Sequence, residues 1–172
     1  MPVLPIIIAP DPRLKKKSEA VETVDANVSR LMEDMLETMY LAPGIGLAAP
    51  QVDVLKQVIV IDVTKGEGER EPICMANPEL LWQSEETNTH EEGCLSLPDQ
   101  FEEVTRPAKI KVRYLNEKNE EVELDADGLL ATCIQHEIDH LQGTLFVDYL
   151  SHLKRGMILR KLKKIKKQKA SA

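Results

Sequence analysis

In the C-terminal third of the chain, the segment QHEIDHLQG places two histidines four residues apart, with a glutamate directly after the first. On a helix His136 and His140 stack on one face, where two imidazoles can hold one metal ion. Glu137 then falls where a metal-dependent hydrolase keeps its general base. A catalytic centre of this kind takes three protein ligands and leaves one position open to water. The third ligand must come from elsewhere in the 172 residues.

Downstream candidates are poor. No Glu follows Glu137, and Phe146 stands where an extended three-histidine pattern has its last His. Asp148 and His152 remain, at spacings with no recognised precedent. Upstream, Cys94 sits in EEGCLSLP, a turn-like segment between strands, and a thiolate is a strong ligand for zinc or a similar metal. Cys133 lies one turn before His136, so a closed structural site of Cys94, Cys133, His136 and His140 is an alternative. Three ligands on consecutive turns spread about 10 Å along the axis, which one ion does not easily span. That favours Cys133 as a small apolar wall residue. The five-residue histidine pattern also arises by chance, so a helix without metal is the bland alternative.

The elements that must position these residues are legible in outline. Asp25 can cap a helix carrying Val28, Leu31, Met32, Met35, Leu36 and Met39 at helical spacing, ended by Pro43 and Gly44. GIGLAAPQ reads as a small-residue loop and Val58–Val63 as a strand, followed by an exposed polar loop over 64–72. KIKVRYL and EEVELDA alternate around NEKN as a hairpin. The histidine helix runs from about Asp127 to Gln142, with Gly143 as its stop. A last helix from about Ser151 carries Leu153, Met157, Ile158, Leu162 and Ile165 near one stripe. The order has no βαβ alternation, which makes the class α+β.

Composition sets outer bounds. A chain that is 42% hydrophobic suits a single domain over 1–172, with only 3% aromatic residues to pack it. No apolar run approaches the roughly 18 residues of a membrane span, and MPVLPIIIAP does not read as a signal peptide. Cys74, Cys94 and Cys133 are an odd number without a framework of spacings, which points to reduced thiols and a cytoplasmic location. Nine of the 22 Lys and Arg residues lie between Lys154 and Lys169, where none of the 29 acidic residues falls. The body is therefore acidic and the C-terminal segment, 154–172, basic.

Taken in order, GIGLAAPQ, EGCLS and QHEIDH resemble the signature segments of the peptide deformylases, and the likeness runs from APDPRL to FVDYLS. The resemblance implies antiparallel β-sheets packed around a central metal-binding helix, with a basic C-terminal helix. It supplies Cys94 as the third ligand beside His136 and His140. It also implies iron(II), with nickel, cobalt or zinc as substitutes, although a set of one cysteine and two histidines would by itself suggest zinc. The implied reaction removes the formyl group from the N-terminal formyl-methionine of a nascent chain. Metal lowers the pKa of water to about 7, Glu137 serves as general base and acid, and the Gln51 amide and the Leu95 N–H stabilise the oxyanion. Ile45 and Gly46 would contact the substrate, with Ile45, Leu129, Cys133 and the His136 ring lining a methionine pocket. His90 and Thr132 depart from the apolar residues common in relatives, which would make that pocket more polar. Glu92 and Arg106 would pair to hold the EGCLS segment.

The basic tail fits nucleic acid, an anionic membrane or an acidic partner on charge alone. In the family such tails serve at the ribosome, so ribosome contact is expected, with no DNA and no membrane partner. Two other classes compete with the deformylase. A general metalloprotease is disfavoured by the missing downstream ligand. An RNA-binding domain with structural zinc would make Glu137 dispensable.

Overall fold

The computed structural model describes residues 3–64 and 68–171. Helix α1 (Ala26–Leu41) starts where Asp25 accepts a hydrogen bond from the Val28 N–H at 2.9 Å. Strands β1 (Gly46–Ala48), β2 (Val58–Ile61), β3 (Ile73–Gln83), β6 (Lys109–Leu115) and β7 (Glu121–Asp127) form one antiparallel sheet in the order β1-β2-β3-β6-β7. Strands β4 (Thr87–Cys94) and β5 (Leu97–Pro107) form a separate antiparallel ribbon. Helices α2 (Gly128–Leu141) and α3 (His152–Ser171) complete the chain. The α+β class and the antiparallel sheets around the histidine helix are as expected.

The continuous apolar run of β2 has a simple cause. Val58 and Val60 pack with Val28, Met32 and Met35 of α1, while Ile59 and Ile61 pack with Ala131 and Ile134 of α2. A strand covered on both faces needs no polar alternation. With few aromatics available, the flexible thioethers of Met32, Met35 and Met39 fill the α1 interface, all buried. A third cluster ties Ile7, Leu14, Leu97, Val104, Phe146, Ile158 and Leu162 together, so the N-terminal segment and α3 clasp the ribbon from outside.

Helix α2 ends with Gly143 at φ +78, and a Cβ there would strike the Lys15 carbonyl. Left-handed geometry and a close backbone crossing both require glycine. In the β6–β7 turn, Asn116 accepts from the Lys118 and Glu120 N–H groups and Asn119 takes φ +61. One expectation needs amendment. The α3 stripe splits: Ile158 and Leu162 are buried, but Leu153 and Met157 are exposed. The expected exposed loop over 64–72 falls partly outside the described residues, at 65–67; residues 68–72 are exposed and irregular as expected, with the Glu71 N–H donating to Asp62.

Candidate metal centre

Three elements meet at one point. The ribbon brings Cys94 to the end of β4, where a shift in pairing register between Gly93 and Cys94 turns the chain. Helix α2 brings His136 and His140. Their ligand atoms all lie within 4.8 Å of one another, and Cys94 Sγ is 3.3 Å from His140 Nε2. Both histidines are buried and Cys94 is half-buried. The 3.3 Å between Cys94 Sγ and His140 Nε2 is a separation that bonds of about 2.0–2.3 Å to a single ion would give.

The surroundings fit a cation. His136 Nδ1 meets Glu92 Oε1 at 3.0 Å, leaving Nε2 for the centre. Burial opposes a charge on His136, yet Glu137, Cys94 and Glu92 outweigh it and hold its pKa well above the ordinary value. Burial, then the charge of His136, holds His140 well below. Glu137 is buried with Oε1 unpartnered among the described residues, and burial pushes its carboxyl up to about 7. A carboxyl poised there suits proton transfer near neutral pH.

Gln51 is not a solvent-facing loop residue. It is 1% exposed in a 3₁₀ turn (Ala49–Val52), where Oε1 accepts from the Ala48 N–H at 2.9 Å. Its Nε2 donates to Ser96 Oγ at 2.9 Å and lies 3.4 Å from Cys94 Sγ. The amide is fixed at both ends, with its donor side turned to the centre. Gly46 has a role that peptide access alone does not explain: a Cβ there would run into Glu137 Oε2 and approach Cys133 Sγ to 2.9 Å.

A cleft of about 700 Å³ opens beside these groups. Ile45, Gly46, Leu95, Leu129, Thr132, Cys133, His136 and Glu137 line it, so each residue expected to contact substrate borders one cavity. Thr132 borders it and His90 does not, so of the two polar departures only Thr132 reaches the cleft. Cys133 stands apart from the metal-ligand group, its thiol donating towards the Ile45 carbonyl at 3.7 Å, and burial raises its pKa well above the ordinary value. Asp148 is engaged elsewhere, with Lys15 and Arg155, and His152 is exposed.

Arg106 Nε and Nη2 grip both oxygens of Glu92 at 2.7 and 2.9 Å, with both residues 5% exposed. Burial alone would raise the Glu92 pKa, but bonds from His136 and Arg106 hold it below the ordinary value. Three further residues support the centre. Ser96 orients Gln51, Asp139 receives the remaining arm of Arg106 at 2.8 Å, and the Phe146 ring stacks on His136 with centroids 6.1 Å apart. Phe146 alone had a visible cue, because it occupies the third-histidine position of the extended motif.

Residues 3–156 match the family model described as polypeptide deformylase. The chain belongs to the polypeptide deformylase family. Among curated deformylases it is similar to that of Methylocella silvestris, 56% identical over 97% of this chain and 87% of the relative. It is also 53% identical to that of Rhizobium meliloti, over 99% and 98% of the two chains. The crystal structure of the Ehrlichia chaffeensis deformylase superposes with a TM-score of 0.92 at 41% identity, covering 98% of this chain and 99% of that one. A second structure of the Ehrlichia enzyme, in complex with actinonin, gives 0.91 at 45% identity over 95% and 98%. The family-model match ends at residue 156, so of the nine basic residues of α3 only Lys154 and Arg155 fall within it.

Proposed function

We infer that Cys94, His136 and His140 form the metal centre at which this chain, a deformylase, hydrolyses the formyl amide of N-terminal formyl-methionine on nascent polypeptides. The observation that carries this reading is the convergence of the three ligand atoms beside the buried Glu137, whose Oε1 is unpartnered among the described residues. When bound, the metal supplies Lewis acidity that brings the pKa of water down towards about 7. Glu137 accepts the proton of the attacking water at its unpartnered Oε1 and delivers it to the departing amine. The Gln51 amide and the Leu95 N–H donate to the oxygen that gains negative charge; removing one such donor commonly costs about 10²–10³ in rate. Ile45 and Gly46 border the peptide, and the methionine side chain enters between Leu129, Thr132 and Cys133.

The metal we propose is iron(II), replaceable by nickel, cobalt or zinc. The donor types alone suit zinc, and iron rests on family membership. Residues 1–172 are proposed to act as one domain in the cytoplasm. Three free thiols support a reducing compartment, and no helix among the described residues is long and apolar enough to cross a membrane. Exposed basic residues of α3 are proposed to contact the ribosome.

Anaerobic hydrolysis of formyl-Met-Ala-Ser, with metal content measured on each protein, tests the centre. Wild type should release formate. Glu137→Ala should keep metal and lose turnover, whereas Cys94→Ser should lose both. A wild type that binds one metal and releases no formate would sink the assignment, and cleavage of the unformylated peptide would favour a general protease.

A further inference from the structure

We propose that Tyr149 is a positioning residue for the metal centre, acting on His136 through Asp139, Arg106 and Glu92. The inference rests on the reading of Cys94, His136 and His140 as metal ligands. Its starting point is the way Arg106 is held. The guanidinium donates to both Glu92 oxygens and, through Nη1, to Asp139 Oδ2 at 2.8 Å. Glu92 Oε1 is shared with His136 Nδ1. Asp139 Oδ2 is shared with the Tyr149 hydroxyl, which donates to it at 2.8 Å.

Tyr149 touches this network twice. Besides the hydroxyl contact, its ring lies 4.8 Å from Arg106 Cζ, within cation–π range. A buried Arg–Glu pair holds its geometry when its remaining donors and acceptors are satisfied, and becomes a liability when one partner is removed. Asp139 is the outermost acceptor, with 23% of its side chain exposed. Tyr149, itself 52% exposed, donates its hydroxyl from the solvent side to the same Asp139 oxygen that anchors Arg106.

The same short turn reaches His136 by a second route. Phe146 and Tyr149 are the two ends of a 3₁₀ turn (Phe146–Tyr149) between α2 and α3. Phe146 stacks its ring on His136 at an interplanar angle of 27°, while Tyr149 holds the relay that ends at His136 Nδ1. One four-residue turn therefore restrains the imidazole at its face and at its outer nitrogen. Outer partners of metal-bound histidines commonly govern metal affinity by about 10–100-fold. Tyr149 stands further out than Glu92, so its effect belongs at the low end or below, about threefold to tenfold.

A merely structural tyrosine would dock the turn on α2 and do no more, and the test must separate the two. Cobalt-loaded protein is mixed anaerobically with excess chelator, and metal release is followed through the cobalt–thiolate absorption of Cys94. Wild type, Tyr149→Phe, Asp139→Ala and the double variant are compared, with a melting temperature for each. The expected result is release about threefold to tenfold faster in Tyr149→Phe, a larger acceleration in Asp139→Ala, and no further acceleration in the double variant. Release from Tyr149→Phe at the wild-type rate would overturn the proposal. So would an equal acceleration by Tyr149→Phe with and without Asp139, since the effect would then not pass through the relay. A wild type lacking the cobalt–thiolate band would overturn the metal-centre reading itself, and this inference with it.

Discussion

A methyl group at position 46 would claim the space that the Glu137 carboxylate and the Cys133 thiol now occupy. Gly46 has no left-handed backbone angle, so the cost of Gly46→Ala comes from those neighbours alone. Glu137 must swing aside, and a misplacement of about 1 Å can lower turnover about 10²-fold. We expect Gly46→Ala to lose about that much kcat on formyl-Met-Ala-Ser while retaining metal, because no ligand moves; equal loss of metal and rate would show the helix itself displaced. The sequence presents this glycine as part of a small-residue loop, and the resemblance adds a substrate contact; its packing against Glu137 is hidden because that partner lies far along the chain. Gln51 is equally opaque from its own type. A glutamine is mostly exposed, and the family resemblance, not spacing, is what singles it out in the sequence. The histidines are legible because helical periodicity alone puts them on one face.

At the scale of elements, legibility follows apolar periodicity. The amphipathic α1, the β6–β7 hairpin and α2 with its glycine stop carry local signals, and their ends fall within a residue or two of expectation. The β4–β5 ribbon carries almost none. Its residues are largely polar, and its inward positions include Glu92, Gln100 and Arg106 as well as Leu97 and Val104. Charges bury there because they pair with each other and with α2, which no window of local sequence reveals. The seating of α3 is similar, for it depends on Asp148 joining Lys15 and Arg155 while accepting the Leu145 N–H. Burial would raise the Asp148 pKa, but these partners, Lys15 first, hold it below the ordinary carboxylate value. A depressed folded-state pKa stabilises above the unfolded value of about 3.9 and loses that effect as pH falls through the folded value. Asp148→Asn should therefore melt about 2–4 °C below wild type at pH 7, for a loss of about 1 kcal/mol. The two melting curves should converge in strong acid, and a constant offset down to about pH 2 would contradict the linkage.

At the scale of the whole molecule, the acidic body and the basic C-terminal helix are not two independent parts. Ile158 and Leu162 sink into the same cluster as Leu97 and Phe146, and Lys154, Arg155 and Lys166 pair with Glu102, Asp148 and Asp11. Removing residues 154–172 would thus uncover core, and a failure of the truncated chain to bind ribosomes would be ambiguous. Arg160, Lys161, Lys163 and Lys164 offer a cleaner probe. They are exposed, and no ion pair engages them among the described residues. Changing these four to Ala keeps helix propensity and leaves Ile158 and Leu162 in place. If they meet ribosomal phosphates, affinity should fall and the slope of log K against log salt should flatten by up to about one for each phosphate no longer neutralised. Hydrolysis of a free formyl-peptide should stay unchanged, because none of the four borders the cleft. On ribosome-held chains the wild type should deformylate faster than the variant, by the widest margin at low ionic strength, and the two should converge at high. Identical ribosome affinity and salt slope for the two proteins would remove the exposed face of α3 from the interaction.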